Sequence, residues 1–319
     1  MGNSRWDNDD WNKHAATTKG LSQQQIFRAS GIQKDMDPKN VKVRESRDSA
    51  ANPHSTPIIL ALDVTGSMGF IAENLAREGL GTLVQSILDR KPVTDPHIMV
   101  MGVGDAYTDS APLQVSQFEA DIRIADQLKN IWLEKNGGGN GSEGYTLPWY
   151  FAAMKTDIDC TKQGRKGLLF TFGDECAPPE LTKEQIARVL GDKAQQNFSN
   201  KELYELVQEK FDVFHVVIEQ GDYASRAKAK VYQSWEAVLP KERIIPVADY
   251  TKVPQILVSV MEVHAGADPK DVIASWQGAD AKAIKDALKN VKQGTPVAAN
   301  QNAPATMSPI KLKTQAPKP

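Results

Sequence analysis

The sequence has few cysteines, no long apolar run and no excess of charge of either sign. Its two cysteines, Cys160 and Cys176, are too few for a disulfide framework, and neither belongs to a CxxC or Cys/His pattern typical of zinc sites. No stretch approaches transmembrane length, and residues 1–10 lack the apolar segment of a secretory signal. The net charge of −2 creates no field that would draw the chain to nucleic acid or to an anionic membrane. We therefore expect a soluble, cytoplasmic protein with neither of these partners.

The chain of 319 residues is long enough for one large α/β domain with extensions. Changes of composition along it predict four segments. These are a polar N-terminal arm (1–55), a globular α/β domain (56–266), a C-terminal helical extension (267–293) and a Pro/Gln/Lys-rich tail (294–319) that we expect to be disordered. The arm carries Trp6 and Trp11. Either these rings anchor the arm on the domain or on another subunit, or the arm is unstructured.

The globular segment alternates between strand and helix patterns. The continuous apolar run from Ile58 to Leu62 is typical of a strand buried on both faces of a parallel sheet. Leu80, Leu83, Val84 and Ile87 recur at helical spacing, which predicts an amphipathic helix after that strand. Further strands are predicted at 97–103, 168–172, 211–218 and 244–247, and helices at 124–132, 147–158 and around 256–261.

Two helix starts are marked by capping boxes, Thr182 with Gln185 and Ser199 with Glu202. In each pair a hydroxyl residue stands three positions before a Gln or Glu that can cap back to it. Together with the alternating strands and helices, these starts predict an α/β fold with a doubly wound, mostly parallel sheet.

A carboxylate and two hydroxyls follow the first buried strand on alternate residues, as Asp63, Thr65 and Ser67. In open α/β sheets the carboxyl ends of the strands form the ligand-binding edge, so these three side chains can face one point there. Oxygen donors of this kind suit a hard cation, Mg²⁺ first and Mn²⁺ or Ca²⁺ as alternatives. The competing interpretation is that they only cap the helix that follows.

The motif Asp-x-Thr-x-Ser after a buried strand resembles the metal-ion-dependent adhesion site (MIDAS) of von Willebrand factor type A (VWA) domains. Two later segments stand in the expected order, the glycine-rich loop 137–144 ahead of a helix and Phe172-Gly173-Asp174-Glu175 directly after a strand. The resemblance covers residues 56–266 and implies a Rossmann-like fold. It also implies that the hydroxyls of Thr65 and Ser67 bind the metal while Asp63 helps to hold its shell.

The other two loops depart from the family pattern. The second loop usually presents Gly-Gly-Thr, whereas this chain leaves Ser142, Glu143 and Thr146 as rival ligands. We favour Glu143, because a glutamate where the loop meets the helix would tighten a divalent ion, or would itself occupy the open position. The third loop usually ends its strand with Thr-Asp-Gly, and here we take Asp174 as the equivalent aspartate.

Other motifs fit the sequence less well. Val64 breaks the Asp-Thr/Ser-Gly of an aspartic protease, and Thr65 stands where a haloacid-dehalogenase-type phosphatase needs a second aspartate. The segment 139–144 formally matches G-x-G-x-x-G, but it follows a helical pattern and does not follow a strand, so a dinucleotide loop is disfavoured. A metal-dependent hydrolase using Asp63 and Asp174 would lack a general base or nucleophile apart from the metal ligands.

The resemblance implies a binding module that is not an enzyme. A site of this type leaves one coordination position for an acidic side chain of a partner protein, which makes recognition metal-dependent. Bacterial stand-alone intracellular members of the family often work beside AAA+ ATPases as adaptors or co-chaperones, so an AAA+ ATPase is one expected partner. The alternative is a structural or assembly protein of phage origin whose copies associate into a homo-oligomer through the arm.

Overall fold

The computed structural model describes residues 5–66, 68–134 and 142–294. Within these residues the strands are β1 (Arg44–Ser46), β2 (Thr56–Asp63), β3 (Pro96–Val103), β4 (Leu113–Val115), β5 (Thr156–Ile158), β6 (Gly167–Gly173), β7 (Glu180–Leu181), β8 (Phe198–Ser199), β9 (Phe211–Ile218) and β10 (Ile244–Val247).

The helices of the same segments lie mostly between the strands. They are α1 (Asn8–Thr18), α2 (Gln23–Ile26), α3 (Gly69–Asn74), α4 (Leu80–Arg90), α5 (Arg123–Lys129), α6 (Leu147–Met154), α7 (Lys183–Leu190), α8 (Asn200–Val207), α9 (Asp222–Glu236), α10 (Val253–His264), α11 (Pro269–Ala274) and α12 (Gly278–Ala287). A π-helical turn, Leu75–Gly79, joins α3 to α4. None of the helices in the described segments combines the length and apolarity needed to cross a bilayer.

The central sheet confirms the predicted doubly wound α/β fold. Its order in the described residues is β10-β9-β6-β2-β3-β4, with every pair parallel except β3 and β4. If the six strands of this sheet are numbered in chain order, their spatial order is that of a Rossmann-like fold. The topological switch point lies between β2 and β6. Leu62 pairs with Phe172 and Asp63 pairs with Val103. The loops that follow β2, β3 and β6 therefore leave the sheet at the same level, beside the switch point.

Strand β2 lies at the centre of the packing. Ile58, Leu60 and Leu62 face one hydrophobic core, while Ile59 and Ala61 face the other. All five are completely buried, which is the environment that their uninterrupted apolar run predicts for a strand covered by helices on both faces.

The sequence patterns predict the starts of two helices correctly, but not the end of a third. Both predicted capping boxes are present, with the hydroxyls of Thr182 and Ser199 accepting from the backbone N–H three residues later. The helix predicted over 147–158 instead ends at Met154. Residues Thr156–Ile158 form β5, because their backbone pairs with β1 in a separate two-stranded parallel sheet. Apolar spacing continues through Ile158, so periodicity alone does not mark this end.

Residues 5–55 pack on the domain. The indole of Trp11 is 8% exposed and lies against Gly81 of α4. Trp6 donates its indole N–H to the carbonyl oxygen of Pro96 at 3.0 Å. Ile26 is buried in the same core. Of the alternatives for the two tryptophans, the structure shows anchoring on the chain's own domain.

The C-terminal extension also contributes to this core. Ile284 and Ala287 of α12 are fully buried there, and Val291 follows them. The tail predicted to be disordered, 294–319, lies outside the described residues apart from Gly294.

We predict that Trp11→Ala lowers the free energy of unfolding by about 3 kcal/mol, because it leaves a cavity between α1 and α4. Val43→Ala is the control, since Val43 is one of the exposed apolar side chains of the same segment, and its effect should stay within about 0.5 kcal/mol. Urea unfolding measures both. Equal unfolding midpoints for the two variants would contradict the packing described for the arm.

Candidate metal centre

Asp63, the last residue of β2, is held on both of its carboxylate oxygens. Oδ1 accepts from the backbone N–H of Thr65 at 3.0 Å and from the Thr65 hydroxyl at 2.6 Å. Oδ2 accepts from the hydroxyl of Tyr145 at 2.7 Å. The carboxylate is only 1% exposed. The strand end and these donors therefore fix its orientation at the carboxyl edge of the sheet.

Glu143 lies in the second predicted loop and is almost completely buried, with 2% of its surface exposed. Among the described residues neither of its carboxylate oxygens has a hydrogen-bond partner. A buried carboxylate without donors is costly as an anion, so it must be protonated or compensated by a positive charge.

Asp174 follows β6 and is buried beside the start of α9. Its Oδ2 accepts from the backbone N–H of Tyr223 at 2.8 Å. Gly221 precedes α9, and a side chain there would overlap the Asp174 carboxylate, so a glycine at this position lets the carboxylate reach the helix N-terminus. The positive end of the helix dipole stabilises an anion in this place.

Three further carboxylates belong to the same cluster. Asp105 and Asp109 are buried in the loop after β3, and Glu175 follows Asp174. The charges of Asp63, Glu175, Asp109 and Asp105 all act on Glu143. None of these three carboxylates is predicted as a site residue from the sequence. Asp105 could have been identified, because it stands two residues after a predicted strand, much as Asp63 stands at the end of the first predicted strand.

The remaining predicted ligands differ in their burial and in whether the structure describes them. Thr65 is buried, and its hydroxyl oxygen keeps lone pairs available while it donates to Asp63. Ser67 lies outside the described residues. Of the second-loop rivals, Thr146 is buried at the start of α6 and Ser142 is partly exposed. Glu143 differs from them in having two buried oxygens that no donor satisfies.

Burial and mutual repulsion raise the carboxyl pKa values across this cluster. Burial, followed by the charge of Asp63, holds the pKa of Glu143 well above its ordinary value. Burial, again followed by Asp63, raises the pKa of Glu175 to about 7. The pKa of Asp63 is also raised, mainly by burial, although the donors from Thr65 and Tyr145 oppose the shift. A bound cation reverses this balance, because it favours the ionised carboxylates.

The donor set fits a hard cation, although not as a cluster of direct carboxylate ligands. Within the described segments, no group of three or more His, Cys, Asp or Glu side chains is arranged to hold a metal ion. The unsatisfied oxygens of Glu143 and the hydroxyl of Thr65, which is bonded to Asp63, are oxygen donors of the kind that Mg²⁺ prefers.

A cleft of about 250 Å³ opens beside Glu143. Its other lining residues include Asp105, Thr146, Pro178, Pro179 and Leu181. Tyr107, also at the cleft, is an exposed aromatic residue, with 52% of its surface accessible. The cleft therefore lies next to the buried carboxylate cluster.

Comparisons with known proteins found similarity in structure only. No protein-family model and no curated protein matches the sequence. Two structures of the pilus adhesin SpaC from Lactobacillus rhamnosus GG align over 73% and 69% of this chain, at 10% and 11% identity, with TM-scores of 0.46 and 0.45. They cover 31% and 32% of the SpaC chains, so this protein spans about a third of that length. A von Willebrand factor type A structure from Catenulispora acidiphila aligns over 67% of this chain and 43% of its own, at 14% identity and a TM-score of 0.36.

The chain contains the doubly wound, mostly parallel α/β domain that the sequence predicts. Its sheet has the Rossmann-like order, and the segments after β2 and β6 that carry the resemblance meet at one edge. Residues 142–144 of the second loop join them there, since Gly144 N–H donates to the carbonyl of Gly104 directly after β3.

We predict that ionisation of Glu143 lowers the stability of the metal-free protein as the pH rises from about 5 to about 8. Because the folded-state pKa of Glu143 is raised, the folded state binds more protons than the unfolded state above pH 4.5. The stability that the neutral carboxyl provides is therefore present below that pH and is lost as the pH increases, by up to ~1.4 kcal/mol per pH unit. Urea unfolding in EDTA measures this slope.

Glu143→Gln should remove this contribution and shift the slope of stability against pH in the positive direction relative to the wild type, because glutamine cannot ionise. Glu205→Gln, at an exposed position on α8, is the control and should leave the slope as in the wild type. An unchanged slope in Glu143→Gln would show that Glu143 does not titrate in the folded protein as described.

Proposed function

We propose that this chain is a metal-ion-dependent protein-binding module. In this proposal Mg²⁺ is bound at the carboxyl edge of the sheet by the hydroxyls of Thr65 and Ser67 and by Glu143. Asp63 and Asp174 hold the surrounding shell. The ion keeps one coordination position for an acidic side chain of a partner protein.

The observation that carries the proposal is the buried, unpartnered carboxylate of Glu143. It faces the charges of four other carboxylates, Asp63, Glu175, Asp109 and Asp105. A divalent cation satisfies its oxygens and offsets the repulsion at once. The VWA-like domain supports the same proposal at the level of the fold, by analogy with other binding modules of this architecture.

The surroundings of the site suggest how a partner reaches it. Glu143 lines the cleft, and the exposed Tyr107 lies at its wall. Aromatic side chains of this kind supply much of the contact energy in protein interfaces. A partner segment in the cleft would place its carboxylate near the ion while its neighbouring residues contact Tyr107.

We propose a partner-binding role without catalysis. Hydroxyl–imidazole pairs that resemble a nucleophile with its base, such as Thr171 with His215, are buried in the core, where a substrate has no access.

The partner class suggested by the resemblance is an AAA+ ATPase, and we place this interaction in the cytoplasm, where the free cysteines Cys160 and Cys176 stay reduced. Self-association through the arm gains no support from the described residues, since Trp11 packs on its own domain.

We predict that Mg²⁺ raises the melting temperature of the wild-type protein and leaves that of Asp63→Asn unchanged. An ion present at about 100 times its Kd adds ~2.7 kcal/mol of stability. Asp89→Asn, an exposed position on α4, is the matched control and should respond as the wild type does. Thermal unfolding in Mg²⁺ and in EDTA measures the shift. If Mg²⁺, Mn²⁺ and Ca²⁺ all fail to shift the wild type, the cation site is refuted.

The same variants test the partner-binding half of the proposal. Immobilised wild-type protein and Asp89→Asn should retain a partner in Mg²⁺ and release it in EDTA, whereas Asp63→Asn should not retain it in either buffer. A partner that binds equally to all three proteins in both buffers would show that recognition uses another surface.

A further inference from the structure

We propose that Tyr145 is a positioning residue for the cation site, holding the Asp63 carboxylate in the orientation that the ion requires, and that Gly173 provides the space for its hydroxyl. This inference rests on the proposed function. It adds a residue pair for which the resemblance gives no counterpart, since the family's second loop is Gly-Gly-Thr.

The hydroxyl of Tyr145 completes the hydrogen bonding of Asp63. It donates to Oδ2 at 2.7 Å, while Thr65 engages only Oδ1. Without the phenol, the described residues supply no donor to Oδ2, and the carboxylate would be held from one side. A buried carboxylate with a free oxygen can rotate or take up a proton, and either change weakens its attraction for a cation.

The aromatic ring of Tyr145 is itself immobilised. It is completely buried, with the ring of His215 at 5.3 Å and that of Trp235 at 5.7 Å between centroids. Trp235 in turn donates its indole N–H to the carbonyl of Glu175 at 3.0 Å. The phenol therefore approaches Asp63 from a rigid cage that is built on β9 and α9 and is anchored to the third loop.

Tyr145 also links Asp63 to the loop that carries Glu143. Its backbone N–H donates to the carbonyl of Glu143 at 2.8 Å, two residues earlier in the chain. The residue that orients Asp63 is thus connected by one short turn to the carboxylate with unsatisfied oxygens. A change in the position of the phenol would move both candidate members of the site.

Gly173, the last residue of β6, leaves the space that the phenol occupies. A β-carbon at position 173 would overlap the hydroxyl and the adjacent ring carbon of Tyr145. A glycine at the end of β6, directly before Asp174, is therefore required by the position of the Tyr145 hydroxyl.

Titration of Mn²⁺ into the metal-free protein, followed by electron paramagnetic resonance of the free ion, tests the proposal. Tyr145→Phe keeps the ring and removes the donor, and we expect it to raise the Mn²⁺ dissociation constant by about 10-fold or more, as loss of an outer-shell partner does at other metal sites. Gly173→Ala should raise it as well, because the added methyl group displaces the hydroxyl while Tyr145 remains.

Tyr150→Phe is the matched control. Tyr150 is a buried tyrosine of α6 whose hydroxyl is hydrogen-bonded to the Asp192 carboxylate, so this variant loses the same kind of bond away from the cluster. A merely structural role would lower the stability of both Tyr→Phe variants and leave both Mn²⁺ dissociation constants unchanged. We expect the Mn²⁺ affinity to fall in Tyr145→Phe and to stay at the wild-type value in Tyr150→Phe.

The outcomes separate this inference from the proposed function. Wild-type protein that binds Mn²⁺, together with a Tyr145→Phe variant of equal affinity, overturns the role of Tyr145 and leaves the cation site standing. Wild-type protein that does not bind Mn²⁺ overturns both. If Tyr145→Phe does not fold, Gly173→Ala with unchanged affinity still contradicts the proposal.

Discussion

The burial of several carboxylates at one edge of the sheet is the constraint on which the candidate site depends. Asp63, Glu143 and Asp174 are each at most 3% exposed, and Asp105 and Asp109 lie buried nearby. Like charges withdrawn from water repel one another and lose their hydration, so such a cluster is stable only with protons, donors or a cation. Asp63 and Asp174 have donors from the protein. Glu143 has none among the described residues, so it is the group that most requires a proton or a cation.

The fold supplies the rigidity that such a cluster needs. Strand β2 is buried by helices on both faces, and the switch in strand order opens the edge at which Asp63 lies. Glycines at positions 173 and 221 let Tyr145 and Asp174 approach the backbone closely. The N-terminal segment packs on α4, in the same core as α3, the first helix after β2. Tight packing therefore positions side chains whose charges alone would drive them apart.

The sequence predicted those parts of the fold that depend on local patterns. The apolar run of β2 and the capping boxes at Thr182 and Ser199 are local signals, and the structure contains the corresponding strand and helix starts. Strand β5 could not be predicted from a local pattern, because it forms by pairing with β1, which lies more than one hundred positions earlier in the chain. No periodicity within 147–158 reports a partner so far away in the chain.

The candidate site likewise contains residues that local sequence patterns indicate and residues that only the packing reveals. Asp63 was identifiable because it follows a buried strand within a recognisable motif, and Asp105 carried a similar signal that went unused. Tyr145 was not identifiable as a site residue, because its hydroxyl reaches Asp63 across 82 positions of sequence. Its place depends on the cage formed by His215 and Trp235, and the absence of a side chain at Gly173 acquires meaning only once the packing is known.

Anomalous diffraction from crystals grown with Mn²⁺ tests the central claim most directly. The account predicts one strong anomalous peak at the carboxyl edge of β2, bounded by the side chains of Thr65 and Glu143, with Asp63 still accepting the hydroxyl of Tyr145. No peak at this edge, together with Glu143 hydrogen-bonded to donors of the protein, would contradict it.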